Sequence, residues 1–330
     1  MLAVRPVKKL SVYSGAIDQP NMRKIHTQAM PKLGGLAILF GILIALGAIQ
    51  IFYGNVFNKD TLIILGGALL AAGLGFLDDV YFLQPPIKLL GQLIIAILVV
   101  SCGIEINFFR HPISLQIINL SYWSKVISVV WLLIVMNIIN LSDGLDGLAG
   151  GLVLISAATL FIISLLTNQL HVVFLLIAIC GAVLGFLRFN FPPASIFMGD
   201  TGSLLLGFLL GVCSIEGVLK SATLIGLAVP ALSLLIPLGD TILAILRRAK
   251  NRVHIFTADK EHIHHRLLKH HTSQLDAVVQ IYFVAIALNI LAILLAVSRD
   301  LYSILLFLAI ILIVLIVALK LHHLSKNNQT

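Results

Sequence analysis

Charge is what this 330-residue chain has least of: 22 Lys and Arg and 14 Asp and Glu, 11% of residues, against 59% hydrophobic. Soluble domains carry roughly a quarter charged residues, so a water-soluble globule is excluded. With a mean hydropathy of +1.07 the surrounding medium must be largely lipid. Cysteine is nearly absent. Cys102, Cys180 and Cys213 all lie inside apolar runs, with neither a CxxC nor a Cys/His spacing, which excludes a zinc cluster and reads as small inert hydrophobes. Proline- or serine-rich linkers, low-complexity tracts and internal repeats are also missing, so residues 1–330 read as a single integral membrane domain. Met1 to Lys9 is basic but has no apolar run or small-residue cleavage site behind it, and no secretory signal is expected. No nucleic-acid partner is expected either.

What is present is a series of charge-free apolar runs: 33–58, 61–77, 89–104, 126–142, 147–187, 201–215, 221–239, 277–298 and 301–319. A crossing needs ~20 apolar residues. The run 147–187 is about twice that and contains the polar Thr167-Asn168-Gln169, so it divides in two. The expectation is an all-α polytopic membrane protein of about ten transmembrane helices.

Orientation follows from the bases. With the N-terminus cytoplasmic, 17 of the 22 Lys and Arg fall inside, and only Lys59, Arg110, Lys125, Lys220 and Arg299 fall outside. Residues 1–33 then form a cytoplasmic N-terminal segment and 248–275 a cytoplasmic His-rich loop. Parity places Asp78-Asp79, Asn140 to Gly147, Asn190 to Ser203 and the histidines on that same face. The expected architecture is a cytoplasm-facing cleft beside the bilayer.

Each acidic motif has a structural and a chemical reading. Asp78-Asp79 closes an apolar helix, where acids oppose the helix dipole; metal handling or proton abstraction explains the pair better. Asn137-Ile138-Ile139-Asn140-Leu141-Ser142-Asp143-Gly144-Leu145-Asp146-Gly147 is the densest signal. Helix capping by Asp146 accounts for one acid but not for two acids after two asparagines. The repeated Asp-Gly combines carboxylates with exposed backbone N–H groups that suit an anion. Phe197-Met198-Gly199-Asp200-Thr201-Gly202-Ser203 starts a helix, and Asp200 reads as a ligand for Mg²⁺, which takes oxygen donors and is bound through one or two carboxylates plus phosphates. Pro230, Pro237 and Asp240 interrupt one apolar segment and mark a broken helix, tolerated where it is buried or lines a wet cavity; Asp240 is then a functional candidate or an acid neutralised by Arg247 or Arg248. In Asp259-Lys260-Glu261-His262-Ile263-His264-His265-Arg266 no Cys or HExxH spacing accompanies the histidines, so phosphate binding fits better than zinc.

A one-sided acidic floor flanked by Arg, Lys and His suits Mg²⁺-dependent transfer between a phosphorylated water-soluble donor and a lipid acceptor. The rival from another class is an ion-coupled transporter, which also uses broken helices and intramembrane acids. Transporters set such groups near the bilayer midplane, whereas these gather at one face.

These motifs together resemble a known family, the polyprenyl-phosphate N-acetylhexosamine-1-phosphate transferases, and most closely its bacterial undecaprenyl-phosphate GlcNAc-1-phosphate branch. The resemblance runs from about residue 15 to 275 and is carried by Asp18-Gln19-Pro20, Arg23-Lys24-Ile25-His26, Pro31, Gly34-Gly35, Asp78-Asp79, Asn140 to Gly147, Asn190, Phe197 to Ser203 and His262-Ile263-His264-His265. It implies a bacterial plasma-membrane enzyme that converts UDP-GlcNAc and undecaprenyl phosphate to undecaprenyl-diphospho-GlcNAc and UMP with Mg²⁺, Mn²⁺ being a substitute. The product would prime teichoic acid, O-antigen or enterobacterial common antigen, and related transferases form homodimers. On the family pattern Asp200 is the principal metal ligand with Asp79 near the metal. Asp78 is the base that strips the lipid phosphate, and Asp143, Asp146 and His264 complete the catalytic set. Gly144, Leu145, Asp146, Asn190 and Phe197 match the uridine pocket, with Asn140, Lys24 and His26 also on the substrate. His262, His264, His265 and Arg266 match groups on the diphosphate and sugar. The His-Ile-His-His form resembles the GlcNAc branch; a His-His-His form accompanies UDP-MurNAc-pentapeptide, and GalNAc is a further donor. In that branch another helix usually precedes the Asp18 motif, and this chain is expected to start at that helix's cytoplasmic end.

Overall fold

The computed structural model describes residues 2–20, 29–54, 56–110, 117–217 and 273–297. Its helices are α1 (Val4–Ser14), α2 (Gly34–Tyr53), α3 (Lys59–Tyr81), α4 (Pro85–Ser101), α5 (Trp123–Ser142), α6 (Leu148–Leu166), α7 (Leu170–Asn190), α8 (Gly199–Gly217) and α9 (Gln274–Val297). Among the described residues seven helices, all but α1 and α4, are long and apolar enough to cross a membrane. The protein is thus a helical, polytopic membrane protein. The apolar runs 221–239 and 301–319, expected as further crossings, lie outside the described residues, as does the break at Pro230 to Asp240. The run 147–187 does divide where its polar residues fall: α6 ends at Leu166, α7 begins at Leu170, and Asn168 between them has φ +58°.

Between α4 and α5 lies a small hairpin, β3 (Phe108–Arg110) against β4 (Ile117–Asn119). At the opposite end β1 (Ile17–Asp18) pairs antiparallel with β2 (Met30–Pro31). The amphipathic α1 lies in the segment read as the N-terminal stretch. It buries Val4, Val7 and Ser11 against the start of α2, and Ser11 Oγ accepts the Leu33 N–H at 3.2 Å.

Helix α8 is the axis. Apart from Asp200, all its residues are buried, and α2, α3, α5, α6 and α7 pack around it. This explains why it is the least apolar of the candidate spans: it faces protein, so Thr201, Ser203 and Ser214 can meet partners in place of lipid. Trp131 Nε1, for example, donates to Ser214 Oγ at 2.9 Å. Close approach depends on glycine. A Cβ at Gly35 would fall 2.1 Å from the Gly202 nitrogen, and one at Gly75 would fall 2.2 Å from the Asp200 carbonyl oxygen. Outward faces of α2 and α4 expose Phe40, Ile44, Ile94 and Leu98, as a lipid-facing surface should.

The up-and-down order brings one set of ends together: the starts of α2, α4, α6 and α8 and the ends of α3, α5 and α7. Every acidic motif within the described residues sits at that end.

Candidate active site

Asp79 is fully buried at the end of α3. Its Oδ1 accepts the Asp200 N–H at 3.0 Å, and its Oδ2 accepts the Thr201 N–H at 2.9 Å and the Thr201 hydroxyl at 2.7 Å. Lys32 Nζ stands 3.4 Å from Oδ1. Asp79 is therefore a cap supplied from another helix: it satisfies free N–H groups at the start of α8 and its charge complements that dipole end. Gly199 makes this possible. Its φ is +71°, and a Cβ there would meet the Lys32 carbonyl oxygen at 2.1 Å and the Asp79 carboxylate at 2.6 Å.

Asp78, its neighbour, points elsewhere. Oδ1 accepts the Leu83 N–H at 2.9 Å, and Oδ2 lies 2.8 Å from Lys88 Nζ. The chain reverses over Phe82, at φ +53°, whose N–H returns to the Asp78 carbonyl; this turn delivers α4 and its Lys88 back over the acid pair. Lys88 Nζ also lies 2.7 Å from Asp200 Oδ1 and donates to Asn140 Oδ1 at 3.1 Å. Asn140 Nδ2 donates to Asp200 Oδ1 and, at 2.8 Å, to Ser203 Oγ. One ammonium thus bridges two carboxylates from different helices, with an amide locking its position. A turn deeper, Asn137 Nδ2 donates to Gln92 Oε1 at 2.6 Å and to the Leu133 carbonyl at 2.8 Å.

Asp143 follows α5 on the same floor. Burial pushes its carboxyl up to about 8, reinforced by the charges of Asp200 and Asp79 and opposed by Lys32 and the Gly199 backbone. The rest of the turn is held from outside. Asp146 does not cap α6; its Oδ2 accepts the Ala194 N–H at 3.0 Å. Gly147, at φ +76°, occupies the cap position of α6 and donates its N–H to Asn190 Oδ1 at 3.1 Å. Asn190 Nδ2 reaches the Ile196 carbonyl at 2.9 Å. Leu145 is buried and Gly144 exposed. Phe197 is fixed through its backbone, its N–H to the Pro31 carbonyl at 2.8 Å and its carbonyl from the Gly34 N–H at 3.0 Å.

The structure thus brings Asp78, Asp79, Asn140, Asp143 and Asp200 to one floor, with Asp146, Asn190 and Phe197 bracing its rim. Lys24, His26, His262, His264, His265, Arg266 and Asp240 lie outside the described residues. Lys88 and Lys32 were not singled out from the sequence as site residues. Lys88 did carry a signal: it is the one charge in an otherwise apolar α4, just after Pro85-Pro86, and an ionisable residue in such a setting marks function.

Among the described residues no three His, Cys, Asp or Glu side chains form a metal cage. Asp200, Asp78 and the Asn140 amide oxygen nevertheless converge on one cationic group, Lys88, and their donors are all oxygens. That chemistry fits Mg²⁺, which keeps several waters and completes its shell with phosphates.

A buried acidic floor with two lysines, at one end of a transmembrane bundle, defines a membrane enzyme that handles anionic substrates. Comparison with known proteins narrows this. Residues 61–218 match the model of glycosyl transferase family 4. A Bacillus subtilis protein described as a probable undecaprenyl-phosphate N-acetylglucosaminyl 1-phosphate transferase is 39% identical over 296 residues, covering 89% of this chain and 82% of its own. The decaprenyl-phosphate N-acetylglucosaminephosphotransferase of Mycolicibacterium smegmatis is 34% identical, covering 84% and 74%. A phospho-N-acetylmuramoyl-pentapeptide-transferase of Halalkalibacterium halodurans is 37% identical over 189 residues, covering 54% and 58%. The chain belongs to glycosyl transferase family 4, the polyprenyl-phosphate N-acetylhexosamine-1-phosphate transferases, and is a phosphoglycosyl transferase.

Proposed function

We propose that this protein transfers GlcNAc-1-phosphate from UDP-GlcNAc to undecaprenyl phosphate, yielding undecaprenyl-diphospho-GlcNAc and UMP, with its site facing the cytoplasm. The observation that carries the reading is the Asp78–Lys88–Asp200 bridge, with Asn140 locking it, at the bundle end where lipid and water meet. The GlcNAc-1-phosphate relatives support this donor over MurNAc-pentapeptide, since they cover far more of the chain.

An oxygen of the lipid phosphate attacks the sugar-bearing phosphorus of UDP-GlcNAc. The new P–O bond forms as the bond to the bridging oxygen breaks, and that oxygen leaves with UMP. Asp78 takes any proton remaining on the lipid phosphate, its carboxylate being aimed by Lys88 and the Leu83 N–H. Asp200 would hold Mg²⁺, or Mn²⁺ in its place, which when bound neutralises charge on the diphosphate. Asp79 stands behind Asp200 and fixes it through the backbone of α8. Lys32 and Lys88 attract and orient the two anionic substrates, and the turn from Gly144 to Asp146 receives the uridine. The lipid-linked product is of the kind that starts a cell-envelope polysaccharide of teichoic acid or O-antigen type.

The test is purified protein with UDP-[³H]GlcNAc and undecaprenyl phosphate. Lipid-extractable label should appear with Mg²⁺ and disappear on chelation, and unlabelled UDP-GlcNAc should compete better than UDP-GalNAc or UDP-MurNAc-pentapeptide. No labelled lipid under any lipid condition overturns the transferase reading; better competition by another donor overturns the choice of sugar.

A further inference from the structure

The turn from Asp143 to Gly147 is tied to a helix far away in sequence. Tyr282, in α9, donates its hydroxyl to the Gly147 carbonyl at 2.5 Å across 135 positions. Its ring fills the space beside Gly151, where a Cβ would fall 2.0 Å from the ring carbon and the hydroxyl oxygen. The same carbonyl accepts the Gly151 N–H at 2.9 Å, while the Gly147 N–H is taken by Asn190. Gly147 is left-handed and α6 has no side-chain cap of its own, so the turn's geometry depends on these outside partners.

We infer that Tyr282 is a positioning residue for the nucleotide donor: its hydroxyl holds the peptide that fixes where Gly144, Leu145 and Asp146 meet the uridine. The inference rests on the functional reading above. Tyr282 touches no reacting atom, and its helix α9 packs chiefly on α6 rather than on α3, α4 or α8, which carry the Asp78–Lys88–Asp200 bridge. Loss of the hydroxyl therefore loosens donor binding and leaves acceptor binding alone. A backbone-directed hydrogen bond of this kind corresponds to about a three- to tenfold effect on binding.

Tyr282→Phe keeps the ring against Gly151 and removes only the hydroxyl. The KM for UDP-GlcNAc, and its Kd measured without acceptor, should rise about three- to tenfold, while the KM for undecaprenyl phosphate stays within about twofold. Gly151→Ala, which drives the ring away but leaves the hydroxyl in the sequence, should reproduce this donor-selective change. A Tyr282→Phe enzyme with both KM values unchanged and only a lower unfolding temperature would show a merely structural tyrosine and overturn the inference, as would an equal rise in both KM values. Wild-type protein that binds no UDP-GlcNAc would overturn the functional reading, and the inference with it.

Discussion

Lys88 and Asp200 meet at 2.7 Å across 112 positions of sequence, and the same ammonium lies 2.8 Å from Asp78. Two carboxylates from α3 and α8 can sit this close because a third helix supplies a cation between them. Replacing Lys88 with Met removes the charge while keeping an apolar stem of similar length, so Asp78 and Asp200 should repel and turn outward. Turnover should fall about a hundredfold, the scale seen when one oriented charge-stabilising group is lost. Initial rates at saturating substrates measure it; wild-type turnover in this variant would remove Lys88 from the site.

The two acids joined through the start of α8 should behave differently. Asp200→Asn keeps shape and loses charge, so turnover should vanish while the circular dichroism spectrum and unfolding temperature stay near wild type. In Asp79→Asn an amide replaces an oxygen that accepts hydrogen bonds in a fully buried place, which leaves N–H donors of α8 facing another donor. The cost falls on folding, about 2–4 kcal/mol, and activity per folded molecule should survive better than in Asp200→Asn. Denaturant titration in detergent beside rate measurements separates the two; equal stability with equal loss of turnover would refute the division of labour.

This contrast shows how far the sequence could be read. The membrane class, the split of the run 147–187 and the one-sided gathering of acids follow from hydropathy and parity, which are local or additive quantities. The partner of each acid is not. The adjacent Asp78-Asp79 looks like one feature, yet one carboxylate serves the turn into α4 and the other the start of α8. Only packing around an almost wholly buried α8 decides this. Asp146 illustrates the same limit: as a sequence feature it precedes a helix and invites a capping role, whereas its carboxylate reaches 48 positions onward to the Ala194 N–H. Lys88 was visible as an isolated charge, but its two acidic partners were not.

Gly75 controls how near α3 comes to the start of α8. Its missing Cβ leaves the Asp200 carbonyl oxygen 2.2 Å from where that carbon would be, and the obstructing atoms are backbone that cannot swing away. Gly75→Ala must therefore push the helices apart at the level of Asp78, Asp79 and Asp200. Overpacking of this kind costs about 1–3 kcal/mol, and turnover should drop along with it because the Asp79 cap is stretched. Ala at Gly73, which has open space around it, is the control and should leave both quantities unchanged.

Beneath the Lys88–Asn140 contact lies a second, uncharged one between the same helices, Asn137 to Gln92. Lys88 and Gln92 are four residues apart on α4, Asn137 and Asn140 three apart on α5, so the two contacts stack along one interface. Gln92 is buried and its Nε2 has no hydrogen-bond partner, so the pair is an inefficient way to stabilise a membrane interface. Its value is in setting the register of α4 on α5, and thereby the height at which Lys88 reaches Asp78 and Asp200. Asn137→Leu strands the buried Gln92 amide and should lower stability by about 1–3 kcal/mol, whereas Gln92→Leu leaves Asn137 Nδ2 its bond to the Leu133 carbonyl and should cost less. Changing both should restore stability to wild type or above, since no polar group is left unpaired, yet turnover should stay about tenfold down because the register is no longer specified. Stability and turnover of the two single variants and the double variant are the measurement. Full recovery of turnover in the double variant would show that the pair only fills space.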